Sequence, residues 1–395
     1  MFEHFSKTPE DPIIKLIGLY KNDPRENKID VGIGVFKDEQ GETPIMSAVK
    51  QAESRLHNKQ QTKAYVGLAG DENFNSAILD LVFAGIDAQK RARAVQAPGG
   101  CGALSVLSDM LARIAVDRTV WVSDPTWGNH YPILKQSGFS VDTYPYFNRE
   151  TKTVREDEVL DKLKTLGTND IVLLHGCCHN PTGAELSQAA WDEIADLAAK
   201  NGFLPFVDMA YQGFGDSLNE DAYGVRKIAD KVESMVIATS CSKNFGIYRD
   251  RVGCAIVLGS SGEVADVARG HILSAARSAY SMPPDHGAAI VSMILHDESL
   301  KQEWDQELTK MRNRILSLRT QLSDVLRAKT GHGNWDFIAH HRGMFSTLVL
   351  SEEQTNRLMD EYAVYAVAGG RINIAGLRND EQLNSFADAL IAVTQ

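Results

Sequence analysis

The stretch Met235-Val236-Ile237-Ala238-Thr239-Ser240-Cys241-Ser242-Lys243-Asn244 decides how this chain folds. Its first five residues form an apolar run that reads as a buried strand. Small hydroxyl residues and a lysine follow at once. The same plan recurs along the chain. Val120-Trp121-Val122 runs into Ser123-Asp124-Pro125, 171–174 into His175-Gly176, 203–207 into Asp208, and 254–258 into Gly259. Between the runs lie helical patterns: Leu104, Leu107, Leu111 and Ile114 share one face, as do Trp191, Ile194, Ala195 and Ala198. Buried strands alternating with amphipathic helices predict an α/β fold with a mainly parallel sheet covered on both sides. Ligands of such sheets bind beyond the carboxyl ends of the strands, where these polar residues fall. Desolvation there favours a neutral Lys243 amine, which can form a Schiff base with an aldehyde. Taken alone, such a lysine is more often a solvated surface charge.

Composition sets the outer bounds. The 395 residues exceed what one core usually serves, so two domains are expected. The formal net charge of -11 argues against a nucleic-acid surface. Cys101, Cys177, Cys178, Cys241 and Cys254 are odd in number and two are adjacent, which reads as reduced thiols of a cytoplasmic protein rather than a disulfide framework. The N-terminus shows no secretory pattern, and no apolar run approaches the ~20 residues of a membrane span. After about Pro284 the pattern changes. One long helix is expected from Asp285 to about Lys329, with Trp304, Leu308, Met311 and Ile315 on its apolar face. Two short strands are expected near 345–348 and 371–374, and a last helix from Asp380. The expected division is a large domain over 40–300, with 1–39 and 301–395 forming an N-terminal arm and a smaller α+β domain.

Several constellations carry chemistry. Pro98-Gly99-Gly100-Cys101-Gly102 leads into a helix, and a glycine-rich turn at a helix N-terminus is either an anion site or a plain turn. It lacks Walker A spacing, and Gly32-Ile33-Gly34 lacks the third glycine of a dinucleotide fingerprint. The segment from His175 to Gly183 holds two histidines and two cysteines, yet adjacent Cys177 and Cys178 do not have zinc-ligand spacing, and no metal is expected. Within it, Asn180-Pro181-Thr182-Gly183 reads as a turn with the Asn180 amide at the mouth of the sheet. Asp208 closes a strand, as a helix cap or as a ligand group. Tyr211 lies three residues on. Arg371 opens an apolar strand; its fork suits a carboxylate ligand, although a structural salt bridge is the commoner reason for a buried arginine.

Together these segments resemble the class I, fold type I pyridoxal-phosphate aminotransferases of the aspartate/aromatic family. The resemblance runs nearly end to end. It includes Gly32 to Asp38, Tyr65-Val66-Gly67, Pro98 to Gly102, Asp124-Pro125-Thr126-Trp127, Asn129-His130, His175 to Gly183, Asp208 to Phe214, Ser240 to Gly246, Arg251-Val252-Gly253 and Arg371 to Gly376. It implies a seven-stranded-type sheet and pyridoxal 5'-phosphate as cofactor. Lys243 is implied to hold the cofactor and shuttle the substrate's α-proton, and Asp208 to pair with the pyridinium nitrogen, backed by His130. Tyr211 and Asn180 are implied donors to the ring's phenolic oxygen, and Trp127 the stacking aromatic. Gly100, Cys101, Ser240 and Arg251 correspond to the phosphate cup, joined by Tyr65 from a neighbouring subunit, so a homodimer with shared sites follows. Arg371 is the implied clamp on the substrate α-carboxylate. Arg277, again from the other subunit, is the implied reader of a distal carboxylate, and Gly34 lies where backbone closes on the substrate.

Departures from that pattern bear on specificity. Cys101 stands where Thr or Ser is common, and a thiol is a poorer donor than a hydroxyl. Ala64 and Met282 stand where strict aspartate enzymes often carry Asn, which makes the side-chain pocket more accommodating to an aromatic ring. The expected activity is amino transfer between Tyr, Phe, Trp or aspartate and 2-oxoglutarate by a ping-pong route, with a strict aspartate aminotransferase as the alternative. A lyase, decarboxylase or racemase of the same fold is disfavoured by the paired Arg277 and Arg371. A cofactor-binding regulator is disfavoured by the complete set of catalytic groups and by the lack of a DNA-binding segment.

Overall fold

The computed structural model describes residues 2–7 and 11–395. Seven strands build the central sheet: β1 (Ala92–Pro98), β2 (Thr119–Asp124), β3 (Ser140–Pro145), β4 (Asp170–His175), β5 (Leu204–Met209), β6 (Met235–Ser240) and β7 (Val252–Leu258). Their order is β1-β7-β6-β5-β4-β2-β3. The five strands from β6 to β3 run parallel, as the alternating pattern predicts. β7 is the exception, antiparallel to both neighbours. The link from β6 to β7 is short and contains no helix, whereas a parallel return needs a crossover of a dozen or more residues. The segment carrying Lys243 is therefore a hairpin loop, pinned at its base by Cys241 N–H donating to Val252 O at 3.0 Å.

Strand interiors carry the core. Every residue of β6 and of β7 is buried, as expected of central strands covered on both faces. The helix Gly99–Ala115 packs Leu104, Leu107 and Leu111 against one face of the sheet, and Trp191, Ile194 and Ala198 of the helix Gln188–Asn201 are buried in the other cluster. Ile114, placed on that helical face by its spacing, is 78% exposed instead, although Leu111 and Ala115 beside it are buried.

The single helix expected from Asp285 is two. His286–His296 ends at Asp297, and Glu298–Thr330 begins with the Asp297 carboxylate accepting Leu300 N–H at 3.0 Å. An Asp N-cap satisfies the orphan donors of a new helix, so the periodicity continues while the axis does not. Trp304, Leu308, Met311 and Ile315 are buried as predicted. Beyond this helix, Phe345–Thr347 pairs antiparallel with Arg371–Asn373, and Ile29–Asp30 pairs parallel with Val364–Tyr365, so the N-terminal segment joins the C-terminal elements. Asp380–Thr394 closes the fold, capped by Asn379. Among the described residues, no helix is long and apolar enough to cross a membrane.

Candidate active site

A cavity of about 290 Å³ opens at the carboxyl ends of β4, β5 and β6. Gly34, Gly100, Cys101, Trp127, Asn180, Asp208, Tyr211, Ser240, Lys243, Arg251 and Arg371 all line it. Residues from the first 34 positions to Arg371 thus meet in one pocket.

At its floor, burial pushes the Lys243 ammonium below its usual range; Arg251 adds to the shift, and Asp208 and Cys101 oppose it. Its Nζ lies 4.8 Å from the centre of the Tyr211 ring. Burial also works to raise the Asp208 carboxyl, but the bond to His130 and the charges of His130, His175 and Lys243 overcome it and hold the group below the ordinary carboxylate range. Asp208 is therefore a buried anion.

What holds that anion in place is a ladder of hydrogen bonds. His130 Nε2 is 3.0 Å from Asp208 Oδ2, and His130 Nδ1 is 2.8 Å from Thr126 Oγ1, which is 3.0 Å from His175 Nε2. A carboxylate only accepts, so His130 Nε2 carries a proton. The Thr126 hydroxyl bridges His130 Nδ1 and His175 Nε2 and so couples the orientation of the two rings. Burial and the neighbouring His130 depress the His175 pKa to about 3. Thr126 and His175 were not among the residues expected to serve the site. The ladder explains them: they orient His130, with Thr126 supplied by the loop that precedes the helix His130–Gln136.

Of the two histidines of the 175–183 segment, His175 belongs to this network, while His179 bridges Ser123 Oγ (2.9 Å) and Thr182 Oγ1 (2.8 Å) with its ring centre 4.1 Å from that of His175. Ligand atoms of Cys177, Cys178 and Asp221 lie within 4.8 Å of one another. Asp221, however, already accepts from the N–H groups of Gly213, Gly215 and Asp216. It serves as the anchor of the loop after Tyr211.

On the other side of Lys243 sits an anion cradle. Gly99 has φ of 73° and opens the 17-residue helix Gly99–Ala115. A Cβ on Gly99 would stand 2.4 Å from Arg251 Nη2, and one on Gly253 would stand 2.4 Å from the Gly99 carbonyl carbon. Glycine at both positions lets the guanidinium and the helix N-terminus converge on one point, with Ser240, Ser242 and Cys101 beside it. Asn129 Nδ2 faces Cys101 Sγ at 3.6 Å.

Arg371 departs from the salt-bridge expectation. Among the described residues it has no carboxylate partner. Its Nη2 donates to Gly32 O at 2.7 Å, while Nε, buried, has no partner at all. Its guanidinium lies 4.5 Å above the Phe345 ring, which also meets Tyr211 edge-on at 5.9 Å. Asn180 Oδ1 is likewise buried and unpaired. Two orphaned polar atoms in one cavity indicate a site built for a polar guest. Phe345 went unrecognised in the sequence because its role arises only from the pairing of Phe345–Thr347 with Arg371–Asn373.

Two expected residues lie elsewhere. Tyr65 is 90% exposed, and Arg277 is exposed with Nη1 donating to Ser281 Oγ at 2.5 Å. Neither lines the cavity. Tyr65, Ala64 and Met282 instead border one surface hollow of about 430 Å³.

The family model for aminotransferase class I and II matches residues 26–390. This chain belongs to that family. It is 44% identical to the aspartate aminotransferase of Haemophilus influenzae, over 96% of this chain and 97% of that protein. It is also 44% identical to the aromatic-amino-acid aminotransferase of Paracoccus denitrificans, over 97% of each. The crystal structure of the aromatic-amino-acid aminotransferase of Burkholderia pseudomallei, covalently bound to pyridoxal phosphate, superposes with a TM-score of 0.97 over the whole of both chains at 35% identity. The protein is an aminotransferase of fold type I, and pyridoxal phosphate is the cofactor of its family. The residues present fit that group: an anion cradle for a phosphate, a lysine whose ammonium form burial disfavours for an aldehyde, and a buried carboxylate for a ring nitrogen.

Proposed function

We propose that this aminotransferase has dual specificity, moving the amino group between tyrosine, phenylalanine or tryptophan, or aspartate, and 2-oxoglutarate by a ping-pong route. It works in the cytoplasm as a homodimer with shared active sites. Residues 40–300 form the cofactor-binding domain, and 1–39 with 301–395 the arm and small domain. The observation that carries the reading is the joint presence, in one cavity, of a desolvated Lys243 amine, a His130-backed Asp208 anion and an Arg371 guanidinium with an unpaired Nε.

Bound pyridoxal phosphate supplies an electron sink for the carbanion left when the α-proton departs. The protein's groups do the rest. Gly100, Cys101, Ser240 and Arg251 would hold the phosphate. Asp208, kept ionised, would favour a protonated pyridine nitrogen. Tyr211 and Asn180 would offer donors to the ring's phenolic oxygen, and Trp127 an aromatic wall for the ring. Arg371, supported by Phe345, grips the substrate α-carboxylate and so orients the Cα–H bond toward Lys243. Lys243 Nζ takes that proton and returns it.

Arg277 and Tyr65 come from the partner subunit, which accounts for their exposure in a single chain. The apolar side chains around the cavity mouth and the Ala64 and Met282 departures favour an aromatic side chain beside the dicarboxylate. Relatives bearing both the aspartate and the aromatic name agree with dual use. Single-turnover bleaching of the yellow holoenzyme tests the reading. Phenylalanine should bleach it at a rate comparable to aspartate or faster. Bleaching by aspartate alone would make the enzyme a strict aspartate aminotransferase.

A further inference from the structure

Outside the inner cavity lies a larger vestibule of about 780 Å³ that shares Ile13, Trp127, Asn180 and Arg371 with it. Its walls are mostly apolar, with Phe147, Pro132, Val349 and Leu350 among them. Three charged side chains line it: Asp11, Arg149 and Arg371. Asp11 is engaged, since its Oδ1 accepts from Ile13 N–H at 2.8 Å and Ile14 N–H at 3.0 Å at the start of the helix Pro12–Asn22. Arg371 belongs to the inner site. Arg149 has no hydrogen-bond or ion-pair partner among the described residues.

Arg149 is nevertheless held at a fixed place. It sits at the tip of a hairpin in which Phe147 bridges Val154 and Asn148 N–H donates to Thr153 O at 2.9 Å. Asn148 Oδ1 closes the turn by accepting from Glu150 and Thr151 N–H. Phe147 N–H donates to Asp124 O at 3.2 Å, tying the hairpin to the end of β2, and Lys152 O accepts from His341 Nε2 at 2.8 Å, tying it to the C-terminal part of the chain. A bonded turn thus presents, at the vestibule wall, a cation with no ion-pair partner among the described residues, on a protein whose formal net charge is -11. A dianion approaching such a molecule meets general repulsion, and a local cation in a low-dielectric mouth reverses it.

We propose that Arg149 is a specificity-determining residue of the same chain, an entry cation that recruits the distal carboxylate of dicarboxylate substrates and leaves monocarboxylates unaffected. This rests on the proposed dicarboxylate use, and it is independent of Arg277, which is remote from this cavity in the chain. A substrate with one carboxylate has that group claimed by Arg371 and offers Arg149 nothing. The apolar vestibule wall then takes its side chain.

Calorimetric titration of holoenzyme with unreactive acids tests the proposal without relying on turnover. The probes are glutarate and 3-phenylpropionate, at low and at high sodium chloride. Arg149→Ala should weaken glutarate by ~3- to 10-fold at low salt and by much less at high salt, with 3-phenylpropionate unchanged. Arg149→Lys should restore most of the glutarate affinity, because a point charge suffices to attract the bound ligand's distal carboxylate through solvent. Unaltered glutarate affinity in Arg149→Ala, or equal losses for both acids, would overturn the proposal. Amino transfer by the wild type, assayed in parallel, separates the two readings. Arg149-dependent glutarate binding without transfer would sink the proposed function and leave Arg149 standing. Transfer with Arg149-independent binding would do the reverse.

Discussion

His341 is buried between the hairpin and the long helix, and its surroundings leave it no room for a second proton. Its Nε2 donates to Lys152 O at 2.8 Å. Its Nδ1 lies 3.0 Å from Ser346 Oγ, which already accepts from Arg319 Nη1 at 2.7 Å and so gives its own hydrogen to Nδ1. Burial, reinforced by the Arg319 charge, depresses the His341 pKa from 6.5 to about 3. A depressed folded-state pKa contributes stability that is present above 6.5 and lost as pH falls from there toward 3. At pH 5.5 the unfolded imidazole is about ten-elevenths protonated while the folded one is neutral, so this residue alone costs ~1.4 kcal/mol of unfolding free energy relative to pH 7.5. His341→Gln keeps a donor for Lys152 O and does not titrate. Urea unfolding followed by circular dichroism, at one holoenzyme concentration, should show the pH 7.5-to-5.5 loss reduced by ~1.4 kcal/mol in the variant. Parallel losses in variant and wild type would refute the reasoning, because the imidazole would then titrate alike in both states.

Other outcomes bear on the site directly. Lys243→Ala should lower turnover by at least ~10²- to 10⁴-fold in single-turnover assays while some cofactor stays bound through the phosphate cradle. Near-normal activity would remove Lys243 from its role. Arg277→Ala should lower kcat/KM for aspartate by ~10- to 100-fold and hardly touch phenylalanine, since a charge-assisted bond to the side-chain carboxylate is lost only for the former. Equal losses would show that Arg277 does not read the side chain. Cys101→Thr should tighten cofactor binding to apoenzyme by ~2- to 10-fold in a fluorescence titration, as a hydroxyl replaces a weak thiol donor; looser binding would mean the thiol's packing matters more. Sedimentation should give a dimer at assay concentrations, and an active monomer would defeat the shared site.

Much of this was legible in the chain because strand ends announce themselves. Asp208, Ser240 and Lys243 directly follow apolar runs, so the pattern that specifies burial also delivers them to one edge of the sheet. Arg371 was legible by type but not by circumstance: only the structure reveals that its Nε is unpaired and that Phe345 lies beneath it. The break at Asp297 was hidden because apolar periodicity carries across it, although Asp before Glu-Ser-Leu is a fair cap signal. The antiparallel placing of β7 follows from the shortness of the 241–251 link, which apolar runs alone do not weigh. Contacts of Thr126, His175 and Arg149 depend on loops converging from distant segments, and a local pattern carries no trace of that.

The long helix reaches the lysine loop through Trp304. Trp304 is fully buried, donates its indole N–H to Asn244 O at 2.7 Å, and stacks on Phe245 with ring centres 4.5 Å apart. Of the five tryptophans it is the one with no accessible surface. Emission that survives a water-soluble quencher therefore comes from the buried indoles, Trp304 beside Asn244 and Trp191 in the core, and a Trp191→Phe variant isolates the former. The protein carries its own optical probe of the lysine loop, readable without a label.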